Sequence, residues 1–135
     1  MKPAYLLLNW YEENKRDLPW RHNKDPYRIL VSEIMLQQTR VEAVISKFNT
    51  FISKFPTVES LALAQEHDVL KEWEGLGYYR RAKYLKAACE VIYFKYQSIF
   101  PNLAKELRNL PGIGDYTSCA IASIAFEEAV PVVDG

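Results

Sequence analysis

At 135 residues, 49% of them hydrophobic, the chain is long and apolar enough to bury a core of its own, which excludes a disordered tail or a linker. Seventeen Lys and Arg offset seventeen Asp and Glu, so no global field marks a nucleic-acid partner and any basic surface is local. No apolar window reaches transmembrane length, and Cys89 and Cys119 lie in helical patterns without metal-site spacing, so a soluble, intracellular protein with reduced thiols and no membrane partner is expected.

The periodicity is helical throughout, and the expected class is all-α. A first helix spans about Lys2 to Asn14, with Leu6, Leu7, Trp10 and Tyr11 at helical spacing. A loop carrying Leu18, Pro19, Trp20 and Arg21 follows. Asp25 and Pro26 form a helix start, because Asp caps free N–H groups and Pro lacks the donor that position would waste. The helix reads PYRILVSEIMLQQ. Thr39 is the expected cap of the next, RVEAVISKFNTFISKF, whose apolar stripe runs from Val41 to Phe55 before Pro56 ends it. Thr57 opens a short helix through Leu63, and another from Glu66 to Trp73 stops at Gly75. A long helix is expected from Tyr78 to Tyr96, a short one after Pro101, and a last one from Asp115 to Phe126.

Between the last two stands LPGIGDYT, beginning at Leu110. Gly112 and Gly114 permit positive φ and bare backbone, so N–H groups opening the next helix point outward and form an anion site that needs no basic side chain. An ordinary helix–helix turn is the competing reading. Thr117 in the first turn and the small Ala120 and Ala122 behind it favour a helix-hairpin-helix, placed at about 103–126. Asp115 suits the helix cap, but its charge should weaken phosphate binding relative to a neutral or basic residue there.

Glu33 stands four residues after Ile29 and four before Gln37, on or beside the apolar face of its helix. A carboxyl group desolvated there has a raised pKa and suits a general acid; a Glu at the stripe's edge paired with an Arg fits the same spacing. Asp134, in VVDG, is a turn residue or a carboxylate offered to a cleft. Gln37 and Gln38 read as a polar helix end or as amides for base edges, and Tyr78 as a core aromatic or a wedge between bases. Arg80, Arg81, Lys83 and Lys86 make a basic helix face that tracks phosphates or is merely solvated.

LPWR at Leu18, SEIMLQQTRVEAV at Ser32, GLGYYRRAKYL at Gly75, LPGIGDYT at Leu110 and VVDG at Val132 together resemble the adenine DNA glycosylase family, within the endonuclease III-like helix-hairpin-helix superfamily. The resemblance covers essentially the whole chain. It implies a six-helix barrel over residues 16–135 and an N-terminal helix, residues 1–15, that packs on a half absent from this sequence. It further implies hydrolysis of the N-glycosidic bond of adenine opposite 8-oxoguanine or guanine in double-stranded DNA, by a monomer. Glu33 then falls at the acid that protonates the adenine ring and Asp134 at the carboxylate that stabilises the sugar cation. Gln37, Gln38 and Tyr78 fall at positions inserted into the duplex; Leu18, Trp20 and Arg21 fall at the adenine pocket; Leu110, Gly112, Gly114 and Thr117 fall in the DNA-binding hairpin.

Two departures accompany the resemblance. Bifunctional relatives carry a Schiff-base Lys where this chain has Tyr116, so a monofunctional enzyme is expected, with Tyr116 supporting Asp134 or the sugar, or packing on the hairpin. The family's [4Fe-4S] cluster uses four cysteines beyond Gly135, and Cys89 and Cys119 match none of them, so no bound cluster is expected. The chain reads as the truncated part of a longer glycosylase, and an inert fragment that holds DNA by its hairpin alone is the alternative.

Overall fold

A computed structural model describes residues 24–126, and among them it contains seven α-helices and no strand. They are α1 (Pro26–Leu36), α2 (Val41–Lys54), α3 (Val58–Ala62), α4 (Glu66–Glu72), α5 (Arg80–Tyr96), α6 (Ala104–Leu107) and α7 (Asp115–Phe126). Leu18, Trp20, Arg21 and Asp134, with the expected first helix, lie outside the described residues.

The central element is α1, which packs against α2, α5 and α7. Its start is the one the sequence predicts: Asp25 accepts from the Tyr27 N–H at 3.0 Å, and Pro26 occupies the first turn. From Ile29 to Met35 every residue is buried, as expected for a helix that neighbours cover on all sides. Glu33 belongs to this run and is 4% exposed.

Around α1 the core is built on aromatic contacts. Phe51 of α2 meets the Trp73 ring edge-on at 5.7 Å and Phe55 at 5.2 Å, and Phe48, Phe51 and Trp73 are fully buried. Each such side chain contributes about 1.5–3 kcal/mol through burial. The Trp73 indole N–H donates to the Gly77 carbonyl at 3.1 Å, which ties the turn after α4 to the core. Thr57 and Ser60 form a reciprocal capping box that opens α3, and α3 lies along α5.

One expected cap is corrected. Arg40, not Thr39, occupies the N-cap of α2, and no side chain caps that end. The Thr39 hydroxyl is turned inward, where it accepts from Arg81 Nη2 at 2.8 Å. A tertiary partner has taken the oxygen that a local cap would have used. No helix among the described residues is long and apolar enough to cross a membrane.

Candidate nucleic-acid interface and active-site helix

Three segments distant in sequence converge at one end of α1. The first is the end of α1 itself, where Gln37 turns extended and Gln38 adopts φ +57°. The second is the turn from Gly75 to Tyr78, in which Gly75, Gly77 and Tyr78 all have positive φ, at +94°, +72° and +48°. The third is the hairpin between α6 and α7. Gln37, Gln38, Tyr78, Arg80, Tyr84 and Gly112 line a shared open groove of about 570 Å³, with Tyr79 and Arg81. Two non-glycine residues, Gln38 and Tyr78, thus hold the left-handed conformation beside the groove, a strain of about 1–3 kcal/mol each that the surrounding contacts must offset.

Arg81 bonds to both turns that carry these two residues. Its Nη1 donates to the carbonyls of Ile34 at 3.0 Å, Met35 at 2.9 Å and Gln37; its Nη2 donates to Thr39 Oγ1 and to the carbonyls of Leu76 at 3.1 Å and Gly77 at 3.2 Å. The guanidinium also lies 5.5 Å from the ring centroids of both Trp73 and Tyr78. The carbonyls left open at the C-terminus of α1 are a favourable seat for a cation. Burial lowers the Arg81 pKa, and Tyr78 acts in the opposite direction. An arginine nevertheless stays charged there.

This corrects the basic face read from the sequence. Arg81 is 8% exposed, and Lys86 is half-buried, donating to the Ala62 carbonyl at 3.0 Å and to Glu90 at 2.8 Å. Arg80 and Lys83 remain exposed on α5. A signal was available: Arg81 precedes Leu85, Ala88 and Ile92 by four, seven and eleven residues and so shares their buried face.

In the hairpin the two glycines have different reasons. Gly112 has φ +74°, and a Cβ there would stand 2.5 Å from Tyr84 Cβ, so the turn docks on α5 through the missing side chain. Gly114 meets nothing within 4 Å, which leaves bare backbone facing outward at the start of α7. The first N–H groups of an α-helix have no intrahelical partner and suit an anion. Asp115 is the first residue of α7, and its carboxylate accepts from Arg108 Nη1 at 3.1 Å, so the acidic residue beside the turn already carries a counter-charge.

The remaining expected residues fall as follows. Leu110 is buried in the core, and only its backbone belongs to the turn. Thr117 is 4% exposed, and its hydroxyl accepts from Gln37 Nε2 at 3.4 Å, joining the end of α1 to the first turn of α7. Tyr116, on that same turn, is exposed. Glu33 lies one helical turn before Gln37, inside the bundle. The groove also carries two further exposed aromatics: Tyr79, which stands beside Tyr78 at the N-cap of α5, and Tyr84, which nothing in the sequence sets apart from an ordinary helix surface.

The two cysteines do not fit a [4Fe-4S] cluster, which four thiolates hold. Cys89 is fully buried in the core, where burial pushes its thiol pKa up. Among the described residues, no group of three His, Cys, Asp or Glu side chains is placed to hold a metal ion.

Residues 31–135 match the family model described as HhH-GPD superfamily base excision DNA repair protein. The chain belongs to the HhH-GPD superfamily. Curated relatives include the adenine DNA glycosylase of Buchnera aphidicola subsp. Acyrthosiphon pisum (strain APS), 46% identical over 98% of this chain and 38% of the relative. The adenine DNA glycosylase of Homo sapiens is 43% identical over 96% of this chain and 25% of its own length. The chain therefore spans well under half the length of these two relatives. Among solved structures, a thermostable thymine-DNA glycosylase superposes with a TM-score of 0.82 at 30% identity, over 95% of this chain and 59% of that one. A trapped endonuclease III–DNA covalent intermediate shares the fold at a TM-score of 0.74 and 21% identity, over 92% and 59%.

Proposed function

We propose that this chain carries the catalytic acid and the DNA-inserting segments of an adenine DNA glycosylase, which hydrolyses the N-glycosidic bond of adenine opposite 8-oxoguanine or guanine in double-stranded DNA. The carrying observation is a carboxyl group, Glu33, buried on the central helix one turn before the Gln37 amide that reaches Thr117 of the hairpin. A buried carboxyl next to a DNA-facing turn suits protonation of a base turned out of the stack.

In this reading Glu33 donates its proton to N7 of adenine, which makes the base a leaving group. Asp134 stabilises the oxocarbenium-like sugar, and water completes the hydrolysis. Two carboxyls with divided roles suit this chemistry as they suit glycoside hydrolysis. Leu18, Trp20 and Arg21 line the adenine pocket. Gln37, Gln38 and Tyr78 fill the vacated stack, and Tyr78 lies beside the oxidised guanine. Leu110, Gly112, Gly114 and Thr117 build the hairpin that takes a phosphate on backbone N–H groups. Tyr116 replaces the amine that lyase chemistry needs, which makes the enzyme monofunctional. Architecturally, the described helices belong to a six-helix barrel of the helix-hairpin-helix glycosylase type, and the chain acts on DNA as a monomer.

The test is single-turnover incubation with duplexes carrying adenine opposite 8-oxoguanine and adenine opposite thymine, followed by alkali to reveal abasic sites. Cleavage of the first duplex and not the second is the expected result. Equal binding of both duplexes without excision would leave only a helix-hairpin-helix DNA-binding module.

A further inference from the structure

The groove holds its two strained residues on separate turns, and one buried side chain touches both turns. Arg81 donates to the Gln37 carbonyl and the Thr39 hydroxyl on one side and to the Leu76 and Gly77 carbonyls on the other. Its plane also lies 5.5 Å from the Tyr78 ring centroid. Gln38 sits between the Gln37 and Thr39 anchors, and Tyr78 directly follows Gly77. A direct link between the turns, from Thr39 Oγ1 to the Leu76 carbonyl oxygen, is long at 3.4 Å.

We propose that Arg81 is a positioning residue that clamps the Gln37–Thr39 turn to the Leu76–Tyr78 turn, so that Gln38 and Tyr78 enter the DNA stack as one unit. The inference rests on the proposed function for the DNA step, while the clamp itself is a property of the free protein. A planar guanidinium with five donors in a fixed fork can span two turns at once; an ammonium is a compact point charge and cannot reach both sets of acceptors. Arg81→Lys therefore keeps the charge and releases the clamp.

Amide exchange in the DNA-free protein comes first. The Gln37 amide bonds to the Ile34 carbonyl and the Leu76 amide to the Trp73 carbonyl, so each reports on one turn; the Phe55 and Leu61 amides are references elsewhere in the bundle. In Arg81→Lys both reporters should exchange about tenfold faster with the references unchanged, the mark of local opening. Unchanged reporters would overturn the clamp. Should that variant fail to fold, Thr39→Ala removes one anchor and leaves the guanidinium seated, and the same two reporters are read.

Affinity for a duplex with adenine opposite 8-oxoguanine is then measured for Gln38→Ala, Tyr78→Ala and the double variant. With Arg81 present the double variant should depart from the product of the single effects by about fivefold; the departure should shrink in the Thr39→Ala background, and in Arg81→Lys the effects should multiply. Multiplicative effects with Arg81 intact would overturn the coupling. A residue that only stabilised the bundle would lower the melting temperature and all affinities together and leave the departure in place. If the unaltered chain binds no duplex, the proposed function fails, and the exchange measurement still decides the clamp.

Discussion

Gly112 and Tyr84 occupy adjoining space so closely that a Cβ on the glycine would stand 2.5 Å from the Tyr84 Cβ and 3.0 Å from its Cγ. The hairpin is thereby seated on α5, the helix that also carries Arg81. Because the opposing atoms lie near the α5 backbone, rotation of the tyrosine ring does not relieve the contact. The glycine is held by packing as well as by its φ of +74°.

Gly112→Ala should therefore destabilise the fold by about 2–3 kcal/mol, through left-handed backbone strain together with displacement of the hairpin from α5. Gly114→Ala should leave stability within about 1 kcal/mol, since nothing stands within 4 Å of a Cβ there. In the proposed function that methyl instead meets the phosphate, and duplex affinity falls. Denaturant melts and duplex titrations on both variants separate the two glycines; equal stability losses would contradict the distinction.

A second prediction concerns the Arg108–Asp115 pair at the start of α7. Asp115→Asn removes a negative charge beside the proposed phosphate site and releases Arg108 toward the DNA. Duplex affinity should rise about two- to tenfold at low ionic strength and converge with the unaltered chain at high salt. An affinity independent of this substitution at low salt would place the phosphate elsewhere.

Much of the scaffold was legible because local chemistry decides it. The Asp25–Pro26 start, the Thr57 cap and the Asp115–Phe126 helix follow from capping and periodicity, and Glu33 was readable as an apolar-face carboxyl from its spacing. What escaped depends on partners far along the chain. Thr39 does not cap α2 because Arg81 takes its hydroxyl, and Arg81 left the solvent face because the carbonyls ending α1 wait for it more than forty residues upstream. Lys86 likewise turned to the Ala62 carbonyl. The period does put Arg81 on the buried face with Leu85, Ala88 and Ile92, but it carries no mark of the distant acceptors that draw in Arg81, Thr39 and Lys86.

The pH dependence of stability should carry the signature of two buried groups. Burial raises the pKa of both the Cys89 thiol and the Tyr27 hydroxyl, the latter donating to the Phe55 carbonyl at 2.6 Å. The unfolded chain therefore releases these protons first, and stability falls as pH rises above about 8.5 for the thiol and about 10 for the phenol. Each group adds a slope of at most about 1.4 kcal/mol per pH unit. Urea melts at pH 8 and pH 10 should show this loss, and Cys89→Ala should reduce it; an unaltered slope in that variant would show that the thiol is not the source.

The absence of a lysine at position 116 makes a chemical prediction. With Tyr116 on the first turn of α7, the chain should form no Schiff base with the sugar. Borohydride added during turnover should trap no covalent protein–DNA adduct, whereas a trapped adduct would assign the chain lyase chemistry.

The most direct test of the central claim is single-turnover excision by Glu33→Gln on a duplex with adenine opposite 8-oxoguanine. The amide keeps the size and polarity of a side chain that is 4% exposed, and it removes the proton that the reaction needs. Excision should fall by at least about 10²–10⁴-fold, the range for loss of a general acid, with duplex affinity unchanged. Excision at the unaltered rate would contradict Glu33 as the acid and, with it, the account of this site.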